Sequence, residues 1–299
     1  MHPPRTSSPR HRAARSPSAA QARSAVQARP ARGRQPVAAK VPEITALFWV
    51  IKIITTGMGE ATSDYLAKTS VVLAGVAGLA GFALAMWLQF RVRRYLAVVY
   101  WLAVSMVAVF GTMAADGLHV ELGIPYIGST LIYAAALAVI FWRWHRSEGT
   151  LSIHSIVTRR REVYYWLTVL ATFALGTATG DLTATTLHLG YLPSGLLFTG
   201  LILVPAAAWR WLRLNEIAAF WFAYVLTRPL GASFADYLSK PHAISGLNLG
   251  DGPVAAVAAV IIAALVGYVA LARRDIQPTL LPDAGAARTE VSAGDAGPG

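Results

Sequence analysis

The chain has 299 residues, of which 55% are hydrophobic and only 14% charged, with a net charge of +11 and no cysteine. A soluble domain carries about a quarter charged residues, so this composition points to an integral membrane protein, and the lack of cysteine excludes disulfides and thiolate metal sites. The positive charge is concentrated in an N-terminal tail and in short links, where membrane topology uses it, and so gives no reason to expect a nucleic-acid partner.

Residues 1–40 contain eight Arg and one Lys and no acid. They hold no apolar run and therefore no signal-peptide core. They read as a disordered cytoplasmic tail that follows the positive-inside rule, with contact to lipid headgroups or nucleic acid as the alternative. Eight apolar segments follow, at about 43–66, 71–90, 95–118, 124–144, 162–188, 192–212, 216–238 and 253–272. Each is close to the ~20 residues a helix needs to cross the hydrocarbon. They predict an all-α fold of eight transmembrane helices, paired as four helix hairpins over residues 41–94, 95–160, 161–214 and 215–275. Residues 276–299 are rich in Ala, Gly and Pro and read as a second disordered tail.

Basic residues orient these hairpins. The links between them hold Arg91, Arg93 and Arg94, then Arg143, Arg146 and Arg159 to Arg161, then Arg210 and Arg213, and Arg273 and Arg274 follow the last segment. The turns within hairpins hold only Lys68 and Lys240. Both termini and all inter-hairpin links are thus expected in the cytoplasm, with the four repeats parallel rather than inverted.

A repeated pattern supports this division. Trp, nine residues, Gly, four residues and Asp recur as Trp49-Gly59-Asp64, Trp101-Gly111-Asp116, Trp166-Gly176-Asp181 and Trp221-Gly231-Asp236. Composition predicts about 0.02 such matches, so four in series mean an internal repeat. The tryptophans and glycines read as residues that pack the repeats, the glycines because small faces let helices approach closely in lipid. The four aspartates lie about 22 Å along the helix from the tryptophans. Two readings remain open for them: a cluster at one depth that serves a cation or proton path, or the polar outer ends of four helices.

Repeat one adds Lys52 and Glu60, and repeat four adds Arg228 before Pro229. Glu60 and Asp64 share a helix face, and a basic partner is expected from Arg228 or Lys52. Glu60, Asp64, Asp116, Asp181, Asp236, Arg228 and Lys52 are therefore the candidate substrate or ion pathway. His119 and His188 follow Asp116 and Asp181 at unequal offsets and read as interfacial, with no metal site or cofactor expected. There is no Walker loop, His-Glu-x-x-His or Gly-x-Ser-x-Gly, so no catalytic role is expected.

Pro42-Glu43, Trp49, Lys52 and Gly59-Glu60 in the first copy carry a family likeness, as do Phe110 to Asp116, Leu175 to Ala178 and Thr227 to Gly231 in later copies. On these residues the chain resembles bacterial multi-pass inner-membrane proteins with four tandem copies of a two-helix, Trp-containing repeat of unknown function. The resemblance covers about residues 41–274 and implies eight helices in the cytoplasmic membrane, with no established activity. Taken together, the residues favour a secondary transporter or exporter of a small solute, cation or proton, embedded in lipid. The alternative is a non-transporting scaffold in which Trp, Gly and Asp only pack helices.

Overall fold

The computed structural model describes residues 39–120, 122–273 and 275–277. Among these residues every regular element is helical: α1 (Ala46–Thr69), α2 (Val71–Arg91), α3 (Ala97–Val120), α4 (Tyr126–Glu148), α5 (Arg159–Asp181), α6 (Tyr191–Leu212), α7 (Glu216–Ser239) and α8 (Asp251–Ala272). A π-helical turn, Leu182–Thr186, continues α5. Seven of the eight, all but α1, are long and apolar enough to cross a membrane. Helix α1 falls short because it carries Lys52, Glu60, Asp64 and Lys68.

Local chemistry sets several helix boundaries. Thr45 Oγ1 accepts from Phe48 N at 3.2 Å and Asn215 Oδ1 from Ile217 N at 2.9 Å, which satisfies first-turn donors of α1 and α7. Ser70 ends α1 and caps α2 with its own hydroxyl. Gly149 takes a left-handed conformation (φ 70°) that closes α4.

The first helices of the four repeats form a closed ring: α1 packs on α3, α3 on α5, α5 on α7, and α7 on α1. The second helices stand outside it. Burial separates the two sets, since 17–22% of the central span of α2, α4, α6 and α8 is buried against 50–67% for α3, α5 and α7. Contacts of the second helices follow a cyclic order. Each second helix packs mainly on the first helix of the next repeat: α2 on α3, α4 on α5, α6 on α7, and α8 back on α1.

The repeat glycines lie at the joints of this ring. A Cβ on Gly59 would stand 2.4 Å from Ala108 Cβ of α3, and one on Gly111 would stand 2.8 Å from Phe173 Cβ of α5. One on Gly176 would stand 2.3 Å from Arg228 Cγ of α7, and one on Gly231 would stand 1.8 Å from Thr56 Oγ1 of α1. Close backbone approach between first helices draws them into one core and leaves the second helices in the outer grooves.

One end of the bundle is stitched by the segments flanking the ring. Lys40 N donates to Ile156 O (3.1 Å), Tyr95 N to Ala39 O (3.1 Å) and Glu43 N to Asp275 O (2.8 Å). Lys40 Nζ pairs with the buried Glu162 at 2.6 Å, and Gln277 Nε2 donates to Pro42 O at 3.0 Å. The tail boundaries drawn at 40 and 276 therefore shift: Ala39, Lys40, Ile276 and Gln277 belong to the folded body, and the rest of both tails lies outside the described residues. This is the end that carries the arginine-rich links.

Candidate functional site

A column of charged and hydroxyl side chains runs through the ring. At its middle is Arg228 of α7, fully buried. Its guanidinium donates to Glu60 Oε2 at 2.5 Å and to Thr56 O at 3.2 Å on α1, to Thr112 on α3, and to Thr177 on α5 at 2.7 Å. One side chain thus bonds to all three other ring helices. The threonines suit this role, since each donates its own proton to the carbonyl four residues back (Ala108 O, Phe173 O) and turns lone pairs toward the cation. Between the two possible partners of Glu60, the geometry selects Arg228.

Lys52 lies elsewhere along the column and is also fully buried. Its Nζ is 3.4 Å from Thr227 Oγ1 and sits over the rings of Phe173 (4.2 Å) and Tyr224 (4.3 Å), a cation–π arrangement without a carboxylate.

Toward the turns within repeats the column becomes acidic. Glu60, Asp64 and Asp236 each present a carboxylate oxygen within 4.8 Å of the others. Lys240, one residue past α7, pairs with Asp64 and lies 3.7 Å from both Asp236 Oδ1 and Asp251 Oδ1. Burial opposes its charge, yet Asp236 and Asp64 hold its ammonium above the ordinary lysine range. Lys68 pairs with Asp251. The repeat aspartates are thus divided: Asp64 and Asp236 join the cluster, while Asp116 and Asp181, partly buried, stay outside it but within electrostatic reach of Glu60 and Asp64. His119 stacks on Tyr126 at 3.7 Å and His188 is exposed, so neither belongs to this cluster.

The family described as Repeat of Unknown Function (DUF347) matches residues 47–95, 99–150, 164–215 and 219–275. The chain belongs to this family. Each DUF347 copy begins two residues before a repeat tryptophan, so the family repeat and the Trp-Gly-Asp pattern share one register. No curated protein and no solved structure matched the chain.

Aligned in this register, the four copies show a feature that the tryptophans alone did not reveal. Each repeat Trp follows another aromatic: Phe48, Tyr100, Tyr165 and Phe220. Those rings meet the tryptophan of a neighbouring copy, with centroids 5.6 Å apart for Phe48–Trp101, 5.6 Å for Tyr100–Trp166, 6.2 Å for Tyr165–Trp221 and 5.7 Å for Phe220–Trp49. The result is a closed aromatic ring at the arginine-rich end. The Tyr100 and Tyr165 hydroxyls bond at 2.5 Å within it. Tyr165→Phe is expected to lower unfolding stability by about 1 kcal/mol, read from thermal unfolding of the purified protein.

Proposed function

We propose that this protein is a secondary transporter or exporter of a small solute or cation, not an enzyme, and that its path uses the carboxylates of the ring helices. In this reading it crosses the bacterial cytoplasmic membrane eight times, with both ends of the folded body and the arginine-rich links in the cytoplasm. Helix α1 crosses despite its charges because the ring surrounds them with partners. The observation that carries the proposal is the convergence of Glu60, Asp64 and Asp236 from α1 and α7 inside the bundle. Carboxylates at membrane depth are costly and mark ion or substrate paths. Asp64, Asp116 and Asp181 keep partial exposure at the acidic end, whereas the aromatic ring closes the other.

The test is flux. Protein reconstituted into liposomes is assayed against metal cations, amines and organic acids, with Asp64→Asn and Asp236→Asn alongside. The variants are expected to fold but to lose at least about tenfold in rate, or about 1.4 kcal/mol of barrier. Wild-type flux from both variants would sink the proposal. The rival scaffold reading draws on the ion pairs that tie α7 to α1, and it predicts instead that these variants fail to accumulate.

A further inference from the structure

We infer that Glu60, Asp64 and Asp236 form a binding site for a divalent cation of the oxygen-preferring class, and that Lys240 is a tethered ammonium that competes with the ion. This builds on the transport reading above and names its substrate class. The geometry is suitable, since one oxygen from each carboxylate lies within 4.8 Å of the other two. Such a set can share an ion at about 2.0–2.6 Å from each ligand with a small side-chain adjustment.

Two buried oxygens accept no hydrogen bond, and both lie at 3.7 Å from the one ammonium of Lys240. Asp236 is 5% exposed, and its Oδ1 accepts no hydrogen bond. Lys240 Nζ is 3.7 Å away, beyond hydrogen-bond range. Asp251, which belongs to α8 and is not one of the three clustered carboxylates, is 4% exposed, and its Oδ1 is likewise unpartnered at 3.7 Å from the same Nζ. A buried carboxylate oxygen without a hydrogen-bond donor is disfavoured, and an ammonium shared with Asp64 and Asp251 leaves Asp236 Oδ1 room for a closer positive ligand. An ion there would displace Lys240, whose side chain is 16% exposed and can turn outward to solvent.

The charges fit this exchange. Glu60 is paired with Arg228 and Asp251 with Lys68, while Asp64 and Asp236 share the single ammonium of Lys240, so four carboxylates face three cations. The group carries one net negative charge with Lys240 in place and two with Lys240 withdrawn. A doubly charged ion restores neutrality at the second count. Lys240 is placed to move, because it lies just past the end of α7 and its four-carbon stem can swing without displacing the helix. The ligand class follows from the donors: three carboxylates, no cysteine in the chain, and both His119 and His188 outside the cluster favour Mg²⁺, Mn²⁺ or Ca²⁺ over softer ions.

Mn²⁺ titration of the purified full chain in lipid nanodiscs, followed by electron paramagnetic resonance, tests the inference. One saturable Mn²⁺ per chain is expected, displaced by Mg²⁺ or Ca²⁺. Asp236→Asn should weaken it by at least about tenfold, and Lys240→Ala should tighten it by a similar factor because the competing ammonium is gone. Lys240→Gln, which keeps a hydrogen-bond donor for Asp64, should also tighten it and serves if the alanine variant folds poorly. Unsaturable Mn²⁺ binding, binding that survives Asp236→Asn, or weaker binding in both Lys240 variants would overturn the site. So would protection by Na⁺ or K⁺ without Mn²⁺ binding. Saturable binding without flux would keep the site and remove the transport reading; flux without binding would do the reverse.

Discussion

Replacing Arg228 with methionine is expected to destabilise the protein by about 3–5 kcal/mol, because it leaves Glu60 buried without its partner. The guanidinium has no water to fall back on: it is fully buried, and its bonds go to α1, α3 and α5. The size of the loss can be apportioned. The double variant Arg228→Met with Glu60→Gln removes both charges and should recover a large part of the stability. A double-mutant cycle on the purified protein, read by thermal unfolding, checks this. A loss below about 1 kcal/mol in the single variant would mean that Glu60 finds another partner or a proton, and that Arg228 is not what holds the ring centre together.

Gly231→Ala is expected to cost about 1–3 kcal/mol or more. The added methyl would stand 1.8 Å from Thr56 Oγ1 and 2.6 Å from Ile53 O. The hydroxyl can rotate away, but the carbonyl is helix backbone and cannot yield without moving α1 from α7. Gly75→Ala in α2 is the matched control, since nothing lies within 4 Å of the added atom. There the better helix propensity of alanine should leave stability unchanged or raise it by about 0.5–1 kcal/mol. Equal effects from the two substitutions, measured under one set of detergent conditions, would contradict the ring joints described above.

Much of the architecture was legible before any coordinates. The spacing of Trp, Gly and Asp divides the chain into four copies, and the apolar segments lie within a few residues of the eight helices. Hydropathy reports length and sidedness along one chain. It carries nothing about which helix stands beside which, so the cyclic order of the second helices was invisible. The pairing of Glu60 with Arg228 was open for the same reason, because Lys52 on the same helix and Arg228, 168 residues away, cannot be ranked without knowing that α7 adjoins α1. Lys240 and Asp251 were harder still. From sequence they are a turn charge and a helix start; the packing of α7 on α1 brings Lys240 to Asp64, and the return of α8 to α1 brings Asp251 to Lys68. The aromatic doublets Phe48-Trp49, Tyr100-Trp101, Tyr165-Trp166 and Phe220-Trp221 were within reach, since they repeat in perfect register. They are easily passed over because aromatic residues near a membrane boundary have an ordinary explanation.

The ring has one joint unlike the other three. Helices α2 and α3, α4 and α5, and α6 and α7 are neighbours in space and also successive in the chain, so a peptide link holds each pair. Helices α8 and α1 pack just as neighbours do, yet no link joins them. Around this joint the described structure concentrates its ion pairs away from the arginine-rich end: Lys68 with Asp251, Lys240 with Asp64, and Arg228 with Glu60 all connect the fourth repeat to the first. Charge therefore acts here as the clasp of a bracelet whose other joints are covalent. A clasp of ions can be undone by an ion, which a peptide bond cannot, so the place where the circle is cut is also where a bound cation would have the most leverage on its shape.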